Sequence, residues 1–539
     1  MTAPRVALIG PEIEENLSLR YLSSSLSAAG YRAHILAFNT PQALAACVAG
    51  VLAEPTLLVG ISLAFQWRAT DFLAFAMALR EAGYTGHITA GGHFATFECE
   101  SILREFPELD SVVRQEGEGT VVALANALRD GSPWSDLPGL AHSEGVNCAA
   151  ALPVLDELPW PDRSGAAAHC FGHNIAPLVS SRGCYANCTF CCIAAWHEQS
   201  LPGRRYRLRA LDRVADEMAA EHHGRGIEIF VFHDDNFFVP SANKNLERIQ
   251  GLAARLSDRG VHRYATVVKA RPTDVREDVF TALKQDLNCI RCYIGVETDS
   301  EQGLKTLGRW TRSRQNHAAL EVAERLDLYV CFNMLLFDPD TTLESLRTNV
   351  AFMADAGPSP FNFCRTELYA GTPLLQRMKL EGRVRGDWLQ WDYDLGSPDV
   401  ERVFKLAMAC FRPRNFGERA LANNIMGTRF DMEVARHFHP ELFESAWLAE
   451  GKRLSGELAR DTAAGLTRIL DHVEAGGRDD KALVRSLSAS LRATEQRIWG
   501  ESIALARAVQ SAVGGQPLTV LGDRVATPLQ QPDRLEVTL

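Results

Sequence analysis

Two stretches of this chain alternate short apolar runs with amphipathic segments, and that rhythm leaves few folds open. In the first stretch Arg5–Gly10, Tyr31–Phe38, Thr56–Leu63, His87–Ala90 and Ser111–Arg114 read as strands. Between them Glu14–Gly30, Pro41–Glu54, Thr70–Gly83, Thr96–Phe106 and Glu118–Gly131 read as helices. TLLVGISL (Thr56–Leu63) is almost continuously apolar, as a strand covered on both faces must be. Strand–helix alternation of this kind predicts a doubly wound parallel sheet, Rossmann- or flavodoxin-like. Such sheets bind ligands at the carboxyl ends of their strands, where Ile9–Glu15, Ser62–Arg68 and Gly91–Phe94 would lie.

Residues 141–172 (containing ALPVLDELPWPDRSG) are punctuated by Pro and Asp and read as a linker. The alternation then resumes. Ala176–Ser180, Ile227–His233, Tyr264–Lys269, Cys289–Val296, Tyr329–Leu335 and Asn362–Glu367 are the strands, with helices at Leu211–His223, Ser241–Gly260, Asp274–Gln285, Asn316–Leu326 and Thr342–Ala356. Six β/α units predict a partial barrel with its site at the carboxyl ends of the strands. Past residue 385 strand signals vanish, while Leu454, Leu458, Leu466, Ile469 and Val473, then Leu483, Leu487, Leu491 and Ile498, recur at helical spacing. The expected division is therefore 1–140 sheet domain, 141–172 linker, 173–385 partial barrel, 386–527 helical domain and 528–539 tail.

Length and composition agree. A chain of 539 residues suggests about three to four domains. A net charge of −11 argues against nucleic acid or an anionic membrane as the main partner. No apolar run approaches the roughly 20 residues of a membrane helix, and MTAPRVALIG lacks the signature of an export signal. The expectation is a cytoplasmic protein whose thirteen cysteines are mostly reduced and buried.

Four of those cysteines crowd into SSRGCYANCTFCC, where Cys184, Cys188 and Cys191 follow C-x3-C-x2-C and Cys192 comes directly after. A structural zinc site commonly takes four ligands as two close pairs, and no second pair follows at that distance. Cys289 and Cys292 lie in a predicted strand, where their side chains diverge. Thiolates in a short loop can hold an iron–sulfur cluster, and three of them leave one iron open.

The triad, placed after the first barrel strand and with Phe190 before its last cysteine, resembles the signature of radical S-adenosylmethionine (SAM) enzymes. HDDNFF (His233–Phe238), YIGVETDSEQGLKTLGRWTR (Tyr293–Arg312), LLFDPDTTLESL (Leu335–Leu346) and YAGTPLLQRM (Tyr369–Met378) resemble further blocks of that family. The resemblance implies a 4Fe–4S cluster on Cys184, Cys188 and Cys191, with SAM on the open iron and a 5′-deoxyadenosyl radical as the product of its cleavage. It also implies that Glu297 contacts the SAM amine or ribose, with Phe190, Asp234, Asp235 and Arg271 as further SAM contacts. Cys192 falls outside the triad and reads as a packing residue.

A doubly wound domain ahead of such a barrel is similar to the cobalamin-binding class. That class carries D-x-H-x-x-G, then S-x-L, then G-G. Ser62 and Gly91-Gly92 fit the spacing, but Leu17 stands where the cobalt-ligating His would be and Ala64 where the second motif wants Leu. The resemblance nominates Ser62, Trp67, Arg68, Gly91, Gly92 and His93 as cobalamin contacts, with Trp67 or Arg68 over the lower face. The implied activity is a cobalamin-dependent methyltransferase, passing a methyl group from methylcobalamin to an unactivated carbon of a small natural-product or peptide substrate. The alternatives are ring contraction or oxidative cyclisation without net methyl transfer, and phosphinate methylation. A one-electron donor such as flavodoxin or ferredoxin is implied as partner. Trp388, Trp391, Tyr393 and Arg412 are possible substrate contacts.

Overall fold

The computed structural model describes residues 3–200, 206–416 and 420–518. The expected tail lies outside them. The chain divides into two compact units, one of residues 1–166, 190–210 and 368–392, the other of 167–189, 211–367 and 393–539.

The first unit is built on seven strands: β1 (Arg5–Gly10), β2 (Arg32–Ala37), β3 (Leu58–Ser62), β4 (His87–Gly91), β5 (Ser111–Val113), β6 (Leu140–His142) and β7 (Gly145–Val146). Their order is β2-β1-β3-β4-β5-β6-β7, parallel from β2 to β5 and antiparallel beyond. Every residue of β1 is buried, which is why RVALIG carries no alternation. Alternate strand residues feed two separate cores, one with Ile9, Phe38, Phe72, Phe75 and Ile88, the other with Leu8, Leu19, Leu26, Val121 and Leu124. Helix Leu17–Ala28 starts where the Asn16 side chain accepts from the Ser18 and Leu19 N–H groups. Helix Glu118–Asp130 stops at Gly131, whose φ of 64° a left-handed cap requires.

The second unit carries β8 (Ala168–Cys170), β9 (His173–Leu178), β10 (Ile227–Phe232), β11 (Ala265–Ala270), β12 (Cys289–Ile294), β13 (Val330–Phe337) and β14 (Phe361–Arg365). The order β14-β13-β12-β11-β10-β9-β8 is that of a half-barrel, six parallel strands closed at one edge by antiparallel β8. Helices Pro398–Phe416, Leu421–Phe438, Ser445–Glu474 and Asp480–Val513 follow. Leu421–Phe438 sets Ile425, Met426 and Phe430 into one core with Ile229, Ala265, Val267, Tyr329 and Cys331. The strand residues Ile229, Ala265, Val267 and Cys331 share one face by register and alternation, so the helix covers part of that face. Arg414 ties the helices together: its guanidinium donates to Asp461, Glu495 and Thr462 and is 1% exposed.

Several expectations are corrected. The stretch read as a linker holds β7 and β8, and β6 spans its start; these strands are too short to show a period. A hairpin, Val384–Asp387 with Gln390–Tyr393, lies past where strand signals were expected to vanish. Helix Glu301–Thr306 is a single turn and a half, fixed by the Ser300 hydroxyl accepting from the Gly303 N–H. The expected helix Thr96–Phe106 is two, broken at Glu98. Trp388, partly buried, stacks on Phe94 at 5.9 Å against the core of the first unit, which gives it a packing role. Tyr393 is buried with its hydroxyl on the Thr366 carbonyl.

Candidate active site

The carboxyl edge of the second unit is organised by HDDNFF, which follows β10. Asp234 is 1% exposed, and its carboxylate accepts from the N–H and hydroxyl groups of both Ser180 and Ser181. It thereby fixes the turn between β9 and the short strand Ser181–Gly183 that launches the cysteine loop. Asp235 accepts from the Gly183 N–H at 2.9 Å. Asn236 donates to Asp274 at 3.2 Å, and the Tyr185 hydroxyl donates to the other oxygen of Asp274 at 2.5 Å. The run therefore holds the loop at three points. Burial pushes the Asp274 carboxyl up despite those donors. Asn236 Oδ1, Arg271 Nε and Arg309 Nε are buried without a partner among the described residues.

Cys184 and Cys188 lie on this loop. Burial pushes the Cys184 thiol up to about 11, opposed by the Ala186 N–H and by Arg271. Arg309 Nη1 donates to Cys188 Sγ at 3.3 Å, its Nη2 donates to the Gly295 carbonyl, and Arg271 donates to the Arg309 carbonyl. Burial, with a smaller part from Arg309 and Arg271 opposing it, leaves the Glu297 carboxyl raised. Glu297 follows β12 with φ of 66°, a left-handed backbone in a non-glycine residue. Two bonds to β13 hold it there, Glu297 N–H to the Asn333 carbonyl and Leu335 N–H to the Glu297 carbonyl. Beyond it, Asn349 Oδ1 accepts from Thr298 Oγ1 and from the Asp299 and Ser300 N–H groups, and so orders the next loop.

Cys191 ends the loop, with half-buried Phe190 before it, and Cys192 opens helix Cys192–Ser200. Among the described residues no three Cys, His, Asp or Glu side chains are gathered as metal ligands, and the cysteines form no disulfide. The fit of the loop to a cluster rests on its donors: three thiols within eight residues, a cation on one of them, and no carboxylate or imidazole in the motif to favour a harder metal. A ligating thiol must lose its proton, and a positive neighbour favours that loss.

In the first unit the edge residues fall at the switch point between β1 and β3, from which the sheet is wound in opposite directions. Ile13, on the loop after β1, is 56% exposed, and Phe65, after β3, is 54% exposed. Both are exposed apolar side chains on loops that follow the neighbouring strands β1 and β3. Gly92 has φ of 109°, and a Cβ there would meet the Ala64 backbone at 2.8 Å. Ser62 ends β3 opposite Gly91 at the end of β4. His93 packs its ring on Trp196 at 4.9 Å. Arg68 is 5% exposed, donates to the Phe38 and Asn39 carbonyls and lies over the Phe38 and Phe72 rings. Its Nη2 is buried without a partner among the described residues, and half-buried Trp67 lies beside it.

Arg309 was missed by the sequence reading, as were Tyr185 and Asp274. Nothing in LGRWTR separates the buried arginine from its exposed neighbours, and only the packing does.

The chain matches two protein families, the B12 binding domain over residues 10–125 and the Radical SAM superfamily over residues 178–352. It is 29% identical over 300 residues to an uncharacterized methyltransferase of Pyrococcus horikoshii, covering 53% of this chain and 62% of that one. It is 24% identical over 399 residues to an anaerobic magnesium-protoporphyrin IX monomethyl ester cyclase of Cereibacter sphaeroides, covering 70% and 60%. Both matches span less than two thirds of the relative. In fold it resembles OxsB, a cobalamin-dependent S-adenosylmethionine radical enzyme solved with aqua-cobalamin, with a TM-score of 0.66 at 17% identity over 95% of this chain and 80% of that one.

Proposed function

Because the chain joins a B12 binding domain to a radical SAM domain, it belongs to the cobalamin-binding radical SAM enzymes, and we propose that it is a methyltransferase acting on an unactivated carbon of a small natural-product or peptide substrate. When bound, the cluster, SAM and cobalamin supply the electron, the 5′-deoxyadenosyl radical and the methyl carrier of such a reaction.

The chain's own part is to bind, orient and exclude water. Cys184, Cys188 and Cys191 would hold the cluster, with Asp234 and Asp235 fixing the turn that presents them. Arg309 sets a positive charge against Cys188. Glu297 would take the SAM amine or ribose, since its carboxylate is half-buried at a strand end and no hydrogen bond or ion pair engages it among the described residues. Phe190 and Arg271 are the further proposed SAM contacts. Ser62, Trp67, Gly91, Gly92 and His93 would bind cobalamin, with Ile13 and Phe65 as its apolar rim. The division into sheet domain, partial barrel and helical domain is kept as the functional division.

The observation that carries this reading is the thiol triad on the loop after β9, with Arg309 donating to its second cysteine. A methyltransferase relative favours methyl transfer, and a cyclase relative makes cyclisation without it the second reading. Among the described residues no helix is long and apolar enough to cross a membrane, and disulfides are absent, which supports a cytoplasmic site of action. The test is anaerobic reconstitution with cobalamin, SAM and neighbouring biosynthetic intermediates, followed by product mass. A gain of one CH2 with 5′-deoxyadenosine formed supports the proposal. A dehydrogenated or cyclised product establishes the second reading, and no 5′-deoxyadenosine under any reductant removes both.

A further inference from the structure

The segment KTLGRWTRSR, Lys305–Arg314, packs on the back of the cysteine loop. The Thr189 N–H donates to the Leu307 carbonyl at 3.0 Å, and the Thr189 hydroxyl donates to the Thr306 carbonyl at 2.7 Å. Gly308, with φ of 60°, comes so close that a Cβ would lie 2.9 Å from Thr189 Cγ2. Arg309 then turns inward to Cys188, and Trp310 turns outward. Trp310 is 84% exposed and has φ of 53°, so this fold holds a large apolar ring in water on a backbone that disfavours any side chain.

The segment that carries the ring is basic, although Asp340 accepts from its Thr306 hydroxyl and Asp299 from its Ser313 hydroxyl. Lys305, Arg312 and Arg314 are exposed, and none of them is ion-paired among the described residues. Over 305–314 there are four cations and no carboxylate, in a chain whose net charge is −11. An exposed aromatic ring with unpaired cations close by in sequence is the composition of an interface centre with a steering rim.

We propose that Trp310, with Lys305, Arg312 and Arg314, is the docking site of an acidic one-electron carrier protein, and that Trp310 and Arg309 are its short route to the cysteine loop. The proposal rests on reading that loop as a cluster site. One electron leaves the reduced carrier, which is oxidised by one, and arrives at the group held by Cys184, Cys188 and Cys191, which is reduced by one. No bond or proton of this chain changes.

The experiment titrates purified flavodoxin onto the anaerobically reconstituted full chain by calorimetry at low and high salt. In parallel, 5′-deoxyadenosine formation is driven by reduced flavodoxin or by dithionite. Wild type should bind more tightly at low salt. W310A and the triple variant K305E/R312E/R314E should each bind at least about tenfold more weakly, and lose flavodoxin-driven turnover while keeping dithionite-driven turnover. Variants that bind like wild type, or a wild type with no salt-dependent binding, overturn the proposal. If W310A loses both activities its local fold has changed, and the triple variant decides. If dithionite yields nothing in wild type the cluster reading fails, and the binding arm still judges the docking site.

Discussion

Removing the Asp234 carboxylate should unfasten the cysteine loop without touching a thiol. Two of its four partners are the N–H groups of Ser180 and Ser181, residues 1% and 2% exposed, so water does not readily replace the lost acceptor. An orphaned buried donor costs about 1–3 kcal/mol, so Asp234→Ala should favour local opening by roughly 4 kcal/mol. Asp234→Asn can keep its carbonyl at the position of the two N–H groups and loses chiefly charge assistance, about 1–2 kcal/mol. With about 1.4 kcal/mol per decade, amide exchange around residues 180–183 should rise about a thousandfold in the Ala variant and about tenfold in the Asn variant. Exchange is the proper assay, because a chain of two units need not unfold in one step. Iron content after anaerobic reconstitution should fall in the same order. Unchanged exchange in Asp234→Ala would refute the anchoring role, even if activity were lost.

Gly92→Ala places a methyl against the Ala64 backbone at a φ that already strains an L-residue, and should reduce corrinoid uptake, read from the visible spectrum, while iron content stays at the wild-type level. His87 is held down to about 4 by burial, with Arg80 acting the same way and Asp110 against it. Above pH 6.5 it is neutral folded or unfolded. As pH falls from 6.5 towards 4 only the unfolded chain gains the proton, so stability should drop by up to roughly 3 kcal/mol, and His87→Gln should flatten that part of the pH–stability curve. Arg414→Ala leaves Asp461 and Glu495 without their buried cation and should destabilise the helical region by about 3–5 kcal/mol, whereas Arg414→Met, which keeps the volume, should lose less; thermal unfolding of both variants checks this.

The parallel strands were legible because burial on two faces writes itself as unbroken apolar runs. RVALIG and LVGIS need no partner to be recognised. Leu140–His142, Gly145–Val146 and Val384–Asp387 were not, because two to four residues carry no period and their pairing is decided by what lies beside them. Cys184, Cys188 and Cys191 could be nominated from sequence because their spacing is local chemistry. What Arg68 and Arg309 touch was not legible, since a guanidinium can cap a strand end, touch a sulfur or face water with the same neighbours in sequence. The direction of a side chain is a property of the packed chain.

The left-handed backbone at Glu297 would be more comfortable with a glycine in that place, by about 1 kcal/mol. If Glu297 takes SAM as proposed, a laboratory lineage selected for heat tolerance alone would drift towards the Glu297→Gly exchange, growing hardier while losing activity. On the proposed role of Glu297, a carboxylate in so unwelcoming a posture marks a place where thermal robustness and purpose pull in opposite directions.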